Sequence, residues 1–157
     1  MSSPTLYANS QLVAQAWLAS LPGLTAAMIG RSLPAESAWA GSAGTTGYIV
    51  VNTTGGTPSV EIPFYHPVVT CYPTAKQLNS DVTTWGLVEN LSQIIERGCQ
   101  NWAGTHLVLA LTENGVTYPS ASVVGVKAVQ HGRPVFGDTG DLTQYRVDIQ
   151  LDWTDAP

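Results

Sequence analysis

Apolar and polar residues alternate cleanly over Leu142–Trp153. Tyr145, Val147, Ile149, Leu151 and Trp153 are apolar, while Arg146, Asp148, Gln150 and Asp152 between them are polar. Successive side chains of a strand point to opposite faces, so this period of two predicts a strand with one buried and one wet face. Ser122–Gln130 and Thr105–Leu111 also read as strands, and Thr112–Pro119 between them carries an Asn114-Gly115 turn signal. Further upstream, Gly47–Asn52 and Val60–Tyr72 flank a Gly55-Gly56 turn, which predicts an antiparallel hairpin. Pro63 and Pro67 lie inside the second of these runs. Proline cannot donate to a ladder, so this strand is expected at a sheet edge or bulged. Leu24–Leu33 is a candidate for one further short strand.

Two segments follow the helical period instead. Ser10–Leu21 has Asn9 or Ser10 as cap and Pro22-Gly23 as stop. Its apolar residues Leu12, Val13, Ala16, Trp17 and Leu21 cover a broad arc, which predicts a mostly buried helix. From Asp81 to about Gln100, with Ser80 as cap, Leu87, Val88, Leu91, Ile94, Ile95 and Cys99 form one apolar face. Beside it runs a stripe of Trp85, Glu89, Ser92 and Glu96. A Trp on the wetter side of an amphipathic helix either meets a partner or is covered by a neighbouring loop of its own subunit. The expected architecture is α+β: one mixed, mainly antiparallel sheet of four to five strands with two helices packed on one face, in the order α-β-β-α-β-β. If Val60–Tyr72 and Thr105–Leu111 are parallel neighbours, the helix between them makes a right-handed crossover. The chain is expected to form one domain over 1–157, with flexible loops near 34–46, 112–121 and 131–141.

Only 11% of the residues are charged, against about 25% in ordinary soluble domains. A surface so poor in charge often belongs to a subunit that hides part of itself in an assembly. The formal net charge of −5 argues against a dedicated nucleic-acid binder, and Arg31, Lys76, Arg97, Lys127, Arg133 and Arg146 are scattered. Apart from tyrosines, Met1–Val60 holds only Arg31 and Glu36 as ionisable side chains, and it lacks the basic start and apolar core of a signal peptide. No apolar run reaches the length of a membrane span. The expected location is a cytoplasm, or a particle assembled in one. Cys71 and Cys99, placed at a strand end and near a helix end, are expected more than about 20 Å apart and therefore unbridged.

Catalytic and metal motifs were sought among the polar residues. His66, His106 and His131 lie in separate segments without Cys or carboxylate at ligand spacing, so no metal site is expected. Phosphate-binding loops, nucleophile elbows, HExxH and dinucleotide fingerprints are missing, so no cofactor and no catalytic residue are expected. Asp138 and Asp141 resemble a fragment of a cation loop but lack its further oxygen ligands, and read better as a turn. The segment His131–Asp141 also carries Arg133, Val135 and Phe136. Phe136 is either a docking element beside Arg133 or tucked under its own hairpin. Trp85, Glu89, Glu96, Arg133, Phe136, Asp138 and Asp141 are the candidate contacts to a partner or to another copy.

Two stretches and the element order resemble the tail terminator proteins of bacteriophages with long, non-contractile tails. In Pro63–Gly98 an outgoing strand ends in a polar turn that leads to a helix. In Gly132–Asp155 a Gly/Pro/Asp loop leads to a Tyr-containing alternating strand. The resemblance spans roughly Gln11–Trp153 and is one of layout; the long, nearly uncharged Pro34–Thr46 departs from it. It implies a non-catalytic virion subunit, assembled in the host cytoplasm, that forms a ring, commonly a hexamer. The ring caps the tail tube, ends its polymerisation and offers the head-joining surface. The implied partners are other copies of the chain, the major tail tube protein and a head-completion or connector protein, with DNA passing through unbound. Ring contacts of this kind are heterologous, one patch meeting a different patch on the next subunit. Alternatives are another neck component, such as a head-closure or minor tail protein, a small α/β enzyme using His66 or His131 with Asp138 or Asp141 at an inter-subunit site, and a ligand-binding module with an apolar pocket.

Phe136→Ala separates the two readings of that residue. A docking role predicts little change in the stability of the isolated subunit, measured by chemical denaturation. A loss of about 3–5 kcal/mol, as for a core phenylalanine, excludes docking.

Overall fold

The alternation at the end of the chain becomes β7 (Leu142–Asp155), whose Val147, Ile149, Leu151 and Trp153 are fully buried. The computed structural model describes residues 6–40, 46–54, 64–76, 84–135 and 142–156, without the side chains of Glu36 and Ala40. Along these residues run α1 (Ser10–Ala19), a 3-10 turn (Ala26–Met28), β1 (Ile29–Gly30) and a second 3-10 turn (Glu36–Ala40). Then come β2 (Tyr48–Thr54), β3 (Phe64–Tyr65), β4 (Val68–Lys76), α2 (Trp85–Gly98) and a single helical turn, α3 (Trp102–Thr105). The chain ends in β5 (Leu107–Glu113), β6 (Val116–Pro134) and β7. The strands lie in the order β1-β2-β4-β7-β6-β5, with β3 pairing β7 beside β4.

This corrects the expected α+β layout of four to five strands with two helices. Among the described residues the sheet has seven strands, about half of those residues are in strands, and there are three helices. Three local causes account for the difference. Only Ile29–Gly30 of the apolar run Leu24–Leu33 pairs, parallel to β2, while Ala26–Met28 winds into a 3-10 turn. The run Val60–Tyr72 is interrupted at His66-Pro67, so β3 and β4 meet β7 separately. The turn after Gln100 forms α3. β2 and β4 pair antiparallel as expected, but β4 lies between β2 and β7 and is no edge. It accommodates Pro73 because its ladder to β7 skips Tyr72 and Pro73. Nor are β4 and β5 parallel neighbours: β5 lies at the far edge, and β6 and β7 return from it to close on β4.

The meander is set by local chemistry. Asn114 and Gly115 both have positive φ (52° and 77°), which joins β5 to β6 through a two-residue turn. Thr112 and Glu113 therefore belong to β5 and residues 116–121 to β6. β6 runs on to Pro134, so Arg133 is a strand residue. The β6–β7 ladder carries three register shifts, and each bulge bends and twists the strands. The sheet curls as a result, and Arg31, just past β1, reaches Glu113 at the end of β5 at 3.3 Å.

The curl wraps α1, which packs on β5, β2 and β1. All ten of its residues are buried or half-buried, with Val13, Trp17 and Leu18 sealed off. Asn9 caps it, its side-chain oxygen accepting from the Leu12 N–H at 3.0 Å. α2 packs on β7, β4 and β6 through Val88, Leu91 and Ile95. It starts after Thr84; the expected cap Ser80 and Asp81–Thr83 lie outside the described residues, as do Val60–Pro63 and the Gly55-Gly56 turn. In Pro34–Thr46, the second 3-10 turn buries Trp39, and residues 41–45 lie outside the description.

Where α2 crosses β6, a Cβ on Gly132 would fall 1.8 Å from Ser92 Oγ and 3.1 Å from Ser92 Cβ. Gly132→Ala is therefore expected to cost about 1–3 kcal/mol by overpacking, and clearly less in a Ser92→Ala background. Equal costs in the two backgrounds, measured by urea denaturation, would contradict this packing.

Candidate functional site

The stripe on α2 meets the β6–β7 end of the sheet. Glu96 Oε1 accepts the Gly132 N–H at 2.7 Å and lies 3.0 Å from His131 Nδ1. Ser92 is buried between them. Glu89 Oε1 accepts the Tyr145 hydroxyl at 2.7 Å, and this bond, with smaller contributions from burial and the nearby charge, pushes the phenol up to about 12. Trp85 rests its ring 5.8 Å from that of Tyr145, tilted by 57°, and is 42% exposed. Glu89 and Glu96 thus tie α2 to the sheet, and Trp85 stands half open at the edge of that contact. Phe136, Asp138 and Asp141 lie outside the described residues.

Arg133 takes part in a polar cluster on the sheet face opposite the core, a site missed in the sequence. Asp148 is only 5% exposed. Its Oδ2 accepts from Arg133 at 2.9 Å, and its Oδ1 from Thr70 at 2.9 Å and from Arg146 Nε at 3.3 Å. Burial pushes this carboxyl up, but the hydrogen bonds from Arg133, Thr70 and Arg146 outweigh it and hold the group below the usual carboxylate range. The register explains the gathering. Thr70 faces Asp148 across the β4–β7 ladder, and Arg133 faces Arg146 across the β6–β7 ladder. The bulge that lets Arg133 reach Asp148 leaves no periodic trace in the sequence.

The histidines pair locally. His66 Nδ1 lies 2.6 Å from Asp152 Oδ1, which also accepts from Gln150 at 3.0 Å. A carboxylate beside an imidazole orients it for proton transfer, yet none of the hydrogen bonds among the described residues links this ring to a Ser, Thr or Cys. His131 meets Glu96. No group of three His, Cys, Asp or Glu among the described residues could hold a metal. No helix among the described residues is long and apolar enough to cross a membrane.

Both cysteines are free, but their expected separation of more than about 20 Å is corrected. Cys71 is in mid-strand, since β4 continues to Lys76, so the returning α2 brings Cys99 back over the same core. Burial pushes both thiols up, Cys99 to about 12, and the neighbouring Cys99 adds to the rise at Cys71.

The most open aromatic among the described residues was also missed. Trp102 is 75% exposed and stacks on His106, with centroids 3.5 Å apart and planes 20° off parallel. Val108, two residues further on the edge strand β5, is 61% exposed. α3 is one turn long, too short to show a period, so nothing in its four residues marks a face for Trp102. Two grooves flank the C-terminal half of α1. One, of about 430 Å³, lies between the helix and the edges of β1 and β5; the other, of about 520 Å³, lies between the ends of α1, α2 and α3. Compared with known proteins, the chain matches no family model and no curated sequence.

The Asp148 cluster gives a pH signature. A carboxyl held low in the folded state contributes stability that is present above its unfolded pKa, about 3.9, and is lost as pH falls through the lower folded value. Asp148→Asn is expected to destabilise the protein by about 1–3 kcal/mol at pH 7. In denaturation series down to acid, its deficit against the native chain should shrink below about pH 4. A deficit independent of pH would rule out the charge-assisted role.

Proposed function

We propose that the chain is a structural subunit that works by contact, forming a ring, most simply a hexamer, that caps a phage tail tube. The ring ends tube polymerisation and presents the surface to which the head joins. The observation that carries this reading is the set of large apolar side chains left open on separate elements. They are Tyr7 before α1, 71% exposed, Trp85 at the start of α2, and Trp102 with Val108 beside the β5 edge. Scattered single exposures are ordinary, but an exposed Trp next to an unpaired strand edge is what a docking surface offers. On a chain with so few charges, little else on the surface is available to specify a partner.

The charged groups support the same reading. Asp148 ties the strands to one another, and Glu96 and Glu89 tie α2 to the sheet. The net charge of −5 suits a ring through which DNA passes without being gripped. The partners proposed are further copies of the chain, the major tail tube protein and a head-completion or connector protein. Another neck position, head closure or minor tail protein, uses the same kind of surface. Electron microscopy of the phage deleted for this gene tests the assignment. Overlong tubes, or heads and tails left unjoined, are expected; normal joined tails would reject it.

A further inference from the structure

α1 has unlike surfaces at its two ends, and they are complementary. At its start, Leu6 and Tyr7 stand exposed ahead of the Asn9 cap. Trp153, whose indole donates to Ser10 Oγ at 3.1 Å, brings the end of β7 to the same place, so Asp155 lies two residues beyond that anchor. Asp155 is exposed and makes no ion pair among the described residues. This end is apolar and anionic.

At the other end of α1, Trp17 Nε1 donates to the Gly104 carbonyl at 2.7 Å, which fixes α3 there, and Leu21 abuts Gly98 of α2. The groove of about 520 Å³ between these elements is lined by Leu21, Pro22, Ile94, Ala103 and Leu107. Arg97 stands on its rim, exposed and without an ion pair among the described residues. This end is apolar and cationic. The groove has the volume of pockets that accept a small ligand, so an aromatic and an aliphatic side chain fit it. About 15 Å of helix separates the two ends.

We propose that the groove at the C-terminal end of α1 receives Leu6 and Tyr7 of a second copy of this chain, with its Asp155 facing Arg97. The occupant is argued from charge: among the cations whose surroundings are described, Arg97 is the one on an apolar groove without a partner, and Asp155 is an unpaired anion beside uncovered apolar side chains. Two different patches at opposite ends of one helix give a head-to-tail contact, which repeats from copy to copy and closes into a ring or continues as a filament. An isologous dimer built on the groove alone would instead bring Arg97 toward Arg97. The inference rests on the ring reading for its purpose and assigns the surfaces that make the ring.

Sedimentation velocity of the full chain over a wide concentration range tests it, with thermal unfolding of each variant as control. Arg97→Glu and Asp155→Arg change exposed groups and are expected to leave unfolding unchanged while each moves the association midpoint about tenfold to higher concentration. The double variant, with the charges exchanged, is expected to return to within about threefold of the native chain. Association insensitive to both single changes would overturn the pairing, and so would loss in both without recovery in the exchange. A closed dimer, or a monomer at every concentration reached, overturns it as well. These results bear on the contact alone. Failure of the ring reading shows separately, as normal tails in the phage without the gene.

Discussion

The packing of α1 inside the curl of the sheet is the constraint on which the other elements depend. A helix lying on a flat sheet buries one stripe; α1 is covered from β1 and β2 on one flank and from β5 on the other. That is why its ten residues carry no charge and none is fully open. Each of its large apolar side chains contributes about 1.5–3 kcal/mol by burial. Its polar atoms are matched too, with Gln11 donating to the Val51 carbonyl at 2.8 Å and Trp17 to the Gly104 carbonyl. The curl comes from the bulges of β6 on β7, and the Arg31–Glu113 pair spans its mouth. That pair is solvent-exposed and contributes little by itself; the helix core is what holds the two edges in place.

The opposite face of the sheet obeys a different rule. No described helix packs there, so its strands present Thr70, Arg146, Asp148, Gln150 and Asp152. Asp148 is nevertheless nearly shut off from water, which is tolerable only because it accepts three hydrogen bonds, one each from β4, β6 and β7. Three strands are thereby locked in one register through one carboxylate. A one-residue slip of β7 would turn Asp148 into the core and Val147 out of it, so the polar cluster and the apolar face specify the same alignment independently.

Period-two segments were legible in the sequence, and so were the strand partners where a turn signal joined them. β7 and the Asn114-Gly115 hairpin are the clearest cases, because burial of one face and positive φ act within a few residues. The strand order was not legible, since β5 is placed by the long β6–β7 return and not by anything in its own seven residues. Pro63 and Pro67 pointed to an edge or bulged strand; the run does break at His66-Pro67, but its main part, β4, is central, because a ladder can skip a proline such as Pro73. In the candidate sites, the spacing of Trp85, Glu89, Ser92 and Glu96 identified one helical stripe, and the structure adds what lies opposite. Trp102 carried no signal, because exposure in a single turn depends on where neighbouring helices end.

The same helix that closes the core also sets the distance between the two ends on which contact is proposed. Leu6 and Tyr7 lead into α1, and Leu21 and Pro22 follow it, so a rigid, fully packed element separates a donor surface from an acceptor surface. Rigidity matters for a closed assembly, because each contact rotates the next copy by the same angle and any play accumulates around the circle. Mobile surfaces suit a different task, the docking of unlike partners, where the cost of ordering keeps free association weak. In the proposed ring, contacts between copies therefore belong at the ends of α1, and contacts to the other proposed partners at sites such as Trp85, which stands at the margin of the packed core and does not set the spacing.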